Sequence, residues 1–204
     1  MRVYFYSFVF FMTLLLPAWV TAQPGPALNI GDQAPSVDLE FLDTSGRTLS
    51  LNEIADDGGL MVIFSSNTCP WVAKSEDRYN AISGIASQNN IGVIALNSNQ
   101  RIRERGESME DMRRRAQKMN YSFPYGLDEN HNLADAFGAT QTPEVFLFNE
   151  NLTLVYHGAI DDDANSLSGV DSNYLDNAIN QLVNGEEIST KSTNVVGCSI
   201  KRNE

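Results

Sequence analysis

The sequence predicts an α/β fold with a central mixed sheet and an N-terminal β-hairpin. Two continuous apolar runs, residues 60–64 and 91–96, have the length of buried strands, and a helical pattern separates them. The order strand, helix, strand implies parallel pairing with a right-handed crossover. Apolar segments at 144–148 and 152–157 flank a short polar turn. They predict a second hairpin, which adds antiparallel strands to the same sheet.

We expect the first 22 residues to be a cleaved export signal. Arg2 gives a positive start, residues 3–16 are apolar, and small residues precede a cleavage point after Ala22. A permanent membrane anchor is the alternative, but the apolar run is shorter than the roughly 20 residues that a span requires, and Pro17 interrupts its end. The mature protein is therefore expected to be exported, periplasmic or extracellular, with no stable membrane span after cleavage.

The remaining chain divides into three parts. Residues 23–35 hold three prolines and predict an extended lead-in, residues 36–188 are one domain, and residues 189–204 are a C-terminal tail. The formal charge of -12 argues against nucleic acid as a partner. Only Cys69 and Cys198 are present, so the chain is not a disulfide-rich scaffold. In an oxidising compartment they are a bonded pair, a redox couple or two separately reactive groups.

The spacing of apolar residues predicts a hairpin and a helix in the N-terminal half. Residues 37–41 alternate in polarity, residues 43–46 form a turn and residues 48–51 return, which predicts the first hairpin. After the first buried strand, residues 73–87 carry apolar positions compatible with one buried helix face.

An arginine-rich segment follows the second buried strand. Ser108 is a fair helix cap, and two acid–arginine pairs lie four residues apart, Glu110 with Arg114 and Asp111 with Arg115. Binding of single-stranded nucleic acid favours aromatic residues interleaved with the basic ones. None is interleaved with these arginines. The segment is therefore interpreted as a solvated helix rather than as a nucleic-acid or phosphate site.

The C-terminal half supplies shorter elements. Residues 123–125 predict a short edge segment, and residues 132–137 predict a short helix ended by Gly138. An amphipathic pattern over residues 174–183, closed by Asn184 and Gly185, predicts the last helix.

Cys69 is the leading candidate for chemistry. It follows the first buried strand and a polar turn, and Pro70 after it fits the first helical position. A thiol at a helix start meets the helix dipole and unpaired amides, and both favour the thiolate. Trp71 beside it either shapes a substrate surface or covers the helix. Lys74, one turn on, favours the thiolate if its amine folds back.

These features together resemble the thioredoxin-like superfamily, which has a three-layer α/β/α architecture. More narrowly, the chain is similar to peroxiredoxin-like redoxins of the alkyl hydroperoxide reductase and thiol-specific antioxidant (AhpC/TSA) type. The segments that carry this likeness are residues 64–74, 97–109, 123–125, 142–143, 158–162 and 197–201. The resemblance implies an antioxidant-type, thiol-dependent oxidoreductase without a cofactor. It would act on protein disulfides, low-molecular-weight thiols or peroxides, with an external thiol as electron donor.

The resemblance carries over to individual residues. Cys69 matches the nucleophilic cysteine of a Cys-x-x-Cys motif, whereas Val72 stands where the second cysteine would be. Thr142 and Pro143 match the cis-proline element, which flanks the cysteine and pairs with an extended substrate. We therefore expect a cis bond there, with an ordinary trans proline at a strand start as the alternative.

A peroxidase is the alternative activity. Peroxiredoxins use a Pro-x-x-x-Thr-x-x-Cys motif with an arginine to hold the peroxide, but here Val62 replaces the proline and Ser66 replaces the threonine. Residues 142–148 contain no arginine. Ser66 is nevertheless a candidate substrate hydroxyl. A binding protein that keeps the fold without turnover is the alternative from another class.

Cys198 is the candidate second thiol. One hypothesis is that it resolves a mixed disulfide or sulfenic acid on Cys69, within or between chains. The alternatives are a thiol packed against the sheet or a tail cysteine without a partner. Val195, Val196 and Ile200 are candidate anchors for the tail. No metal site is expected, because neither the cysteines nor the two histidines show a close ligand spacing.

Overall fold

A mixed sheet organises the described part of the chain, which comprises residues 1, 26–164 and 167–203 of the computed structural model. Apart from Met1, the predicted export signal lies outside the described residues. The strands are β1 Phe41–Asp43, β2 Thr48–Leu49, β3 Gly59–Ser65, β4 Ile91–Asn97, β5 Tyr125–Leu127, β6 Gln141–Thr142, β7 Glu144–Phe148, β8 Leu154–Gly158 and β9 Cys198–Ser199. The α-helices are α1 Leu51–Ile54, α2 Pro70–Ser75, α3 Tyr79–Gln88, α4 Met109–Met119, α5 Asn132–Phe137 and α6 Tyr174–Val183.

The seven-stranded sheet has the order β2-β1-β5-β4-β3-β7-β8. At its centre β3 pairs parallel with β4 and antiparallel with β7, so the predicted mixed sheet is confirmed. All residues of β3 are buried because both sheet faces are covered. Met61 and Ile63 pack in a cluster with α3 and α6, whereas Val62 and Phe64 pack in a second cluster with α5. The sheet is thus the middle of three layers.

Two boundary predictions are wrong. Residues 123–125 do not form an edge, because β5 lies between β1 and β4. The N-terminal hairpin folds back and pairs β1 with β5, and this long-range pairing has no local signal in the sequence. Leu51 begins α1 instead of continuing β2, since Ser50 and Glu53 form a capping box that starts a helix there.

One predicted ion pair is also wrong. The helix after Ser108 is present as α4, and Glu110 pairs with Arg114 at 3.3 Å as expected. Arg115, however, does not pair with Asp111; its guanidinium makes two hydrogen bonds to the buried carboxylate of Glu76. Part of this helix therefore holds a buried charge in place, and its arginines are not all on a solvated face.

Candidate active site

Cys69 caps the N-terminus of α2, with Pro70 in the first turn as predicted. Its side chain is buried, with 3% of its surface exposed. The thiol donates to the Thr142 carbonyl oxygen at 3.2 Å, and the Cys69 backbone N–H donates to Ser66 Oγ at 3.2 Å. The sulfur is thus held against the backbone that precedes Pro143.

The peptide bond between Thr142 and Pro143 is cis, which confirms the prediction for this bond. It lies between β6 and β7, where β7 continues into the central sheet. The Thr142 carbonyl that accepts from Cys69 belongs to the last residue of β6. The edge of β6 is therefore the backbone that faces the sulfur.

Cys198 meets Cys69 at this edge. Strand β9 pairs antiparallel with β6, in a register that places Cys198 opposite Thr142. Both cysteines are free thiols, and Cys198 packs against the core cluster that contains Cys69. Burial and the neighbouring Cys69 raise the pKa of the Cys198 thiol to about 11, although the Trp71 backbone N–H opposes the shift by hydrogen-bonding the sulfur. The structure thus brings together the only two sulfhydryl groups of the chain.

Glu107 fixes the loop in front of Cys69, which we call the cysteine loop, residues 66–68. Its fully buried carboxylate accepts from the Ser66 hydroxyl at 2.5 Å, from the backbone N–H groups of Asn67 and Thr68 at 2.9 and 3.0 Å, and from the Thr68 hydroxyl at 2.6 Å. The Asn97 side chain adds a fifth hydrogen bond. Hydrogen bonds to a charged acceptor are about twice as strong as neutral ones, so this loop is held firmly.

Sequence reasoning missed Glu107 and Gly197. The short polar side chains before Cys69 indicate that an acceptor must exist, but nothing in the sequence distinguishes Glu107 among 26 acidic residues. Gly197 is required by close approach, because a Cβ there would lie 2.4 Å from the Thr142 carbonyl oxygen. That contact depends on a strand pairing between distant segments, which no local pattern reveals.

Comparison with known proteins identifies a family through residues that include Cys69 and Pro143 but not Cys198. Residues 30–157 match the AhpC/TSA family. The chain belongs to this family. Among curated proteins, the thiol-disulfide oxidoreductase ResA from Halalkalibacterium halodurans is 26% identical over 125 residues. That match covers 61% of this chain and 65% of the relative, slightly less than two thirds of its length.

Solved structures support the predicted fold of this AhpC/TSA family member. A hypothetical protein from Sinorhizobium meliloti has 29% identity and a TM-score of 0.79, and the match covers 87% of this chain and 97% of that chain. The thioredoxin domain of a thiol-disulfide oxidoreductase from Bacteroides vulgatus has 17% identity and a TM-score of 0.53, covering 64% and 89%. The chain is thus a thioredoxin-like redoxin of the peroxiredoxin-like type, as the sequence predicts.

Two other predicted site residues of this AhpC/TSA protein have specific surroundings. The Ser66 hydroxyl donates to Glu107 and accepts from the Cys69 N–H, so its hydrogen lies on the carboxylate side and away from the sulfur. The Trp71 ring packs against the core, and the Lys74 ammonium lies 4.6 Å from its centroid. This is a cation–π contact on the helix surface.

A groove lies beside Pro143. Its volume is about 680 Å³, and its lining includes Arg78, Asp161, Thr193 and Val196. Arg78 and Asp161 form a buried ion pair, which neutralises most of the charge in that wall. Burial nevertheless raises the pKa of Asp161, with Arg78 opposing the shift. Among residues 1, 26–164 and 167–203, no cluster of three His, Cys, Asp or Glu side chains is placed to hold a metal.

Proposed function

We propose that this redoxin is an exported thiol-disulfide oxidoreductase in which Cys69 and Cys198 cycle between dithiol and disulfide. The observation that carries the proposal is the register of β6 and β9, which places Cys198 opposite Thr142, the residue whose carbonyl accepts from the Cys69 thiol. Val72 stands where a nearby second cysteine would be needed, and the tail instead pairs Cys198 with Thr142, which accepts from the Cys69 thiol. A second thiol in contact with the first supports dithiol chemistry within one chain.

In the proposed reaction, the Cys69 thiolate attacks one sulfur of a substrate disulfide. A mixed disulfide forms and the first substrate thiolate leaves. The Cys198 thiolate then attacks Cys69 Sγ, which forms the Cys69–Cys198 disulfide and releases the second substrate thiolate. The two protons from the cysteine thiols pass to the two leaving thiolates, so the substrate gains two electrons. Two thiol equivalents from an external donor restore the dithiol.

The surrounding groups have distinct proposed roles. The start of α2 positions the Cys69 sulfur, and the Trp71 N–H favours negative charge on Cys198 during its attack. Pro70, Trp71, Thr142 and Pro143 remain proposed substrate contacts around the sulfur. Ser66 is assigned to the support of the Cys69 N–H, because its hydrogen is donated to Glu107. This assignment favours disulfide exchange over peroxide reduction, which needs a hydroxyl aimed at the substrate.

Export is part of the proposal because of the leader pattern in residues 1–22. Within the part of the chain that the structure describes, no helix is long and apolar enough to cross a bilayer. An oxidising compartment is also where a disulfide between Cys69 and Cys198 would persist without a reducing system.

Turnover assays test the proposal. We expect Cys69→Ser to lower disulfide reductase turnover by about a thousandfold or more, since it removes the attacking sulfur. Cys198→Ser should release one substrate thiolate and then stop with a mixed disulfide on Cys69, visible by non-reducing mass spectrometry. Parallel assays with hydrogen peroxide measure any peroxidase activity. Turnover of Cys198→Ser at the wild-type rate would contradict the proposed cycle, and activity with peroxide alone would favour a peroxidase.

A further inference from the structure

The C-terminal tail occupies the backbone edge that faces Cys69. Strand β9 pairs with β6 through Cys198 and Thr142, and this two-stranded sheet is separate from the main sheet. Next to the pair, Gly197 packs so closely on Thr142 that any Cβ would clash with the carbonyl oxygen. The chain therefore fills, with its own residues, the edge where another extended strand would have to pair.

The residues over this edge are held from both sides. Before them, His157 donates its backbone N–H to the Lys191 carbonyl at 3.0 Å and accepts from the Thr193 N–H at 3.1 Å. After them, Ile200 is buried in the core and donates to the Thr140 carbonyl at 2.9 Å. Residues 194–199, which we call the tail cover, bridge these two anchors.

The tail cover pairs with the edge of β6 and also contributes to the lining of the groove beside Pro143. Cys69 is 3% exposed, whereas Val196 in the cover is 49% exposed and forms part of the groove beside Pro143. A groove of about 680 Å³ falls within the usual range of about 300–1,000 Å³ for small-molecule sites. A polypeptide strand needs the edge of β6 itself, which the cover occupies.

We propose that the docked tail cover makes this enzyme selective for low-molecular-weight disulfides over cysteines held in polypeptides. This inference rests on the proposed function and specifies its substrate class. Small disulfides approach through the groove side while the cover stays docked. A polypeptide disulfide reaches Cys69 only after residues 194–199 leave the edge of β6.

Two reagents with the same leaving group distinguish the effect of substrate size from the effect of disulfide reactivity. One is a pyridyl mixed disulfide of a small thiol such as cysteamine, and the other is the pyridyl mixed disulfide of a short extended peptide. Each reacts with the Cys69 thiolate to form a Cys69–S–S–R bond and expels pyridinethiolate, which is followed by its absorbance. Cys198→Ser as the background isolates this first step, because no second thiol can complete the exchange.

We expect Gly197→Ala, made in the Cys198→Ser background, to release the cover. The added Cβ clashes with Thr142, and overpacking of this kind typically shifts a packing equilibrium roughly tenfold or more. We expect the peptide reagent to react about tenfold faster in this variant, while the small reagent changes less than about twofold. Ile200→Ala, which weakens the following anchor, should shift the ratio in the same direction. Gly84→Ala is the matched control, because a Cβ at Gly84 meets no atom within 4 Å.

The outcomes separate the two proposals. The quantity compared is the reaction rate of the peptide reagent divided by that of the small reagent. If this ratio is the same in Gly197→Ala, in Ile200→Ala and in the Gly84→Ala control, selection by the cover is overturned. Release of pyridinethiolate would still support Cys69 as the nucleophile. Failure of Cys69 to react with both reagents in every variant would overturn the proposed function and this inference with it.

Discussion

The cysteine loop and the tail cover both contact the active-site thiols, but they are held in different ways. The loop, residues 66–68, is fixed from inside the domain by one buried carboxylate, Glu107, through four hydrogen bonds. The cover, residues 194–199, is held by anchors on either side of it, at Thr193 and at Ile200. One segment thus belongs to the core, whereas the other is the one that is proposed to separate from it when an anchor yields.

This difference assigns different tasks to the two sulfurs. Cys69 follows the fixed loop and lies at the start of α2. Cys198 lies in the cover and arrives with it, so its distance from Cys69 depends on whether the tail is docked.

The largest effect is expected at Glu107. Glu107→Ala leaves the donors of the cysteine loop and the Asn97 amide without their acceptor, and each buried unpaired donor costs about 1–3 kcal/mol. We expect the free energy of unfolding to fall by at least about 3 kcal/mol, measured by urea denaturation. Glu107→Gln keeps the shape and part of the acceptor capacity, so it should lose less. Equal stability of Glu107→Ala and wild type would contradict the assignment of Glu107 as the fixed support.

The second largest loss of stability is expected when Ile200 is truncated. Ile200→Ala removes a side chain that is 6% exposed, and such truncations typically cost about 2–5 kcal/mol. Because the tail is proposed to separate on its own, part of the loss should appear as faster hydrogen exchange in residues 198–202 before global unfolding. Val196→Ala is the matched control in the same tail, since Val196 is 49% exposed and should change stability by less than about 0.5 kcal/mol.

If Val196→Ala were as damaging as Ile200→Ala, the cover itself would be an anchor. That result would remove the contrast between a held segment and a releasable one. The sequence names both residues as candidate anchors, and the structure separates them, because only Ile200 packs into the core cluster with α5. The periodic pattern that identifies helices does not extend to an irregular tail, so its buried positions are not visible beforehand.

The parts of the site that were predictable from sequence are local ones. Cys69 at the helix start and Pro70 after it follow from a strand, a turn and a proline within a few residues. The cis bond before Pro143 was expected from the resemblance and is confirmed. The support by Glu107 and the pairing of Cys198 with Thr142 join segments tens of residues apart, and such contacts leave no periodic or spacing signal in one sequence.

The smallest expected effect concerns proton binding at Cys198. Its pKa is raised from 9.0 to about 11 by burial and by the hydrogen bond and charge of Cys69, so the folded state favours the neutral thiol. The resulting stabilisation is complete below the ordinary thiol pKa and is lost as the pH rises through about 11.

In Cys69→Ser the contribution of the partner thiol to the pKa of Cys198 disappears, while the contribution of burial remains. The midpoint of the Cys198 thiolate absorbance should therefore fall below about 11 and stay above 9.0. A midpoint that does not move would mean that the two sulfurs are not in contact in solution, and the tail would then be released already in the reduced enzyme.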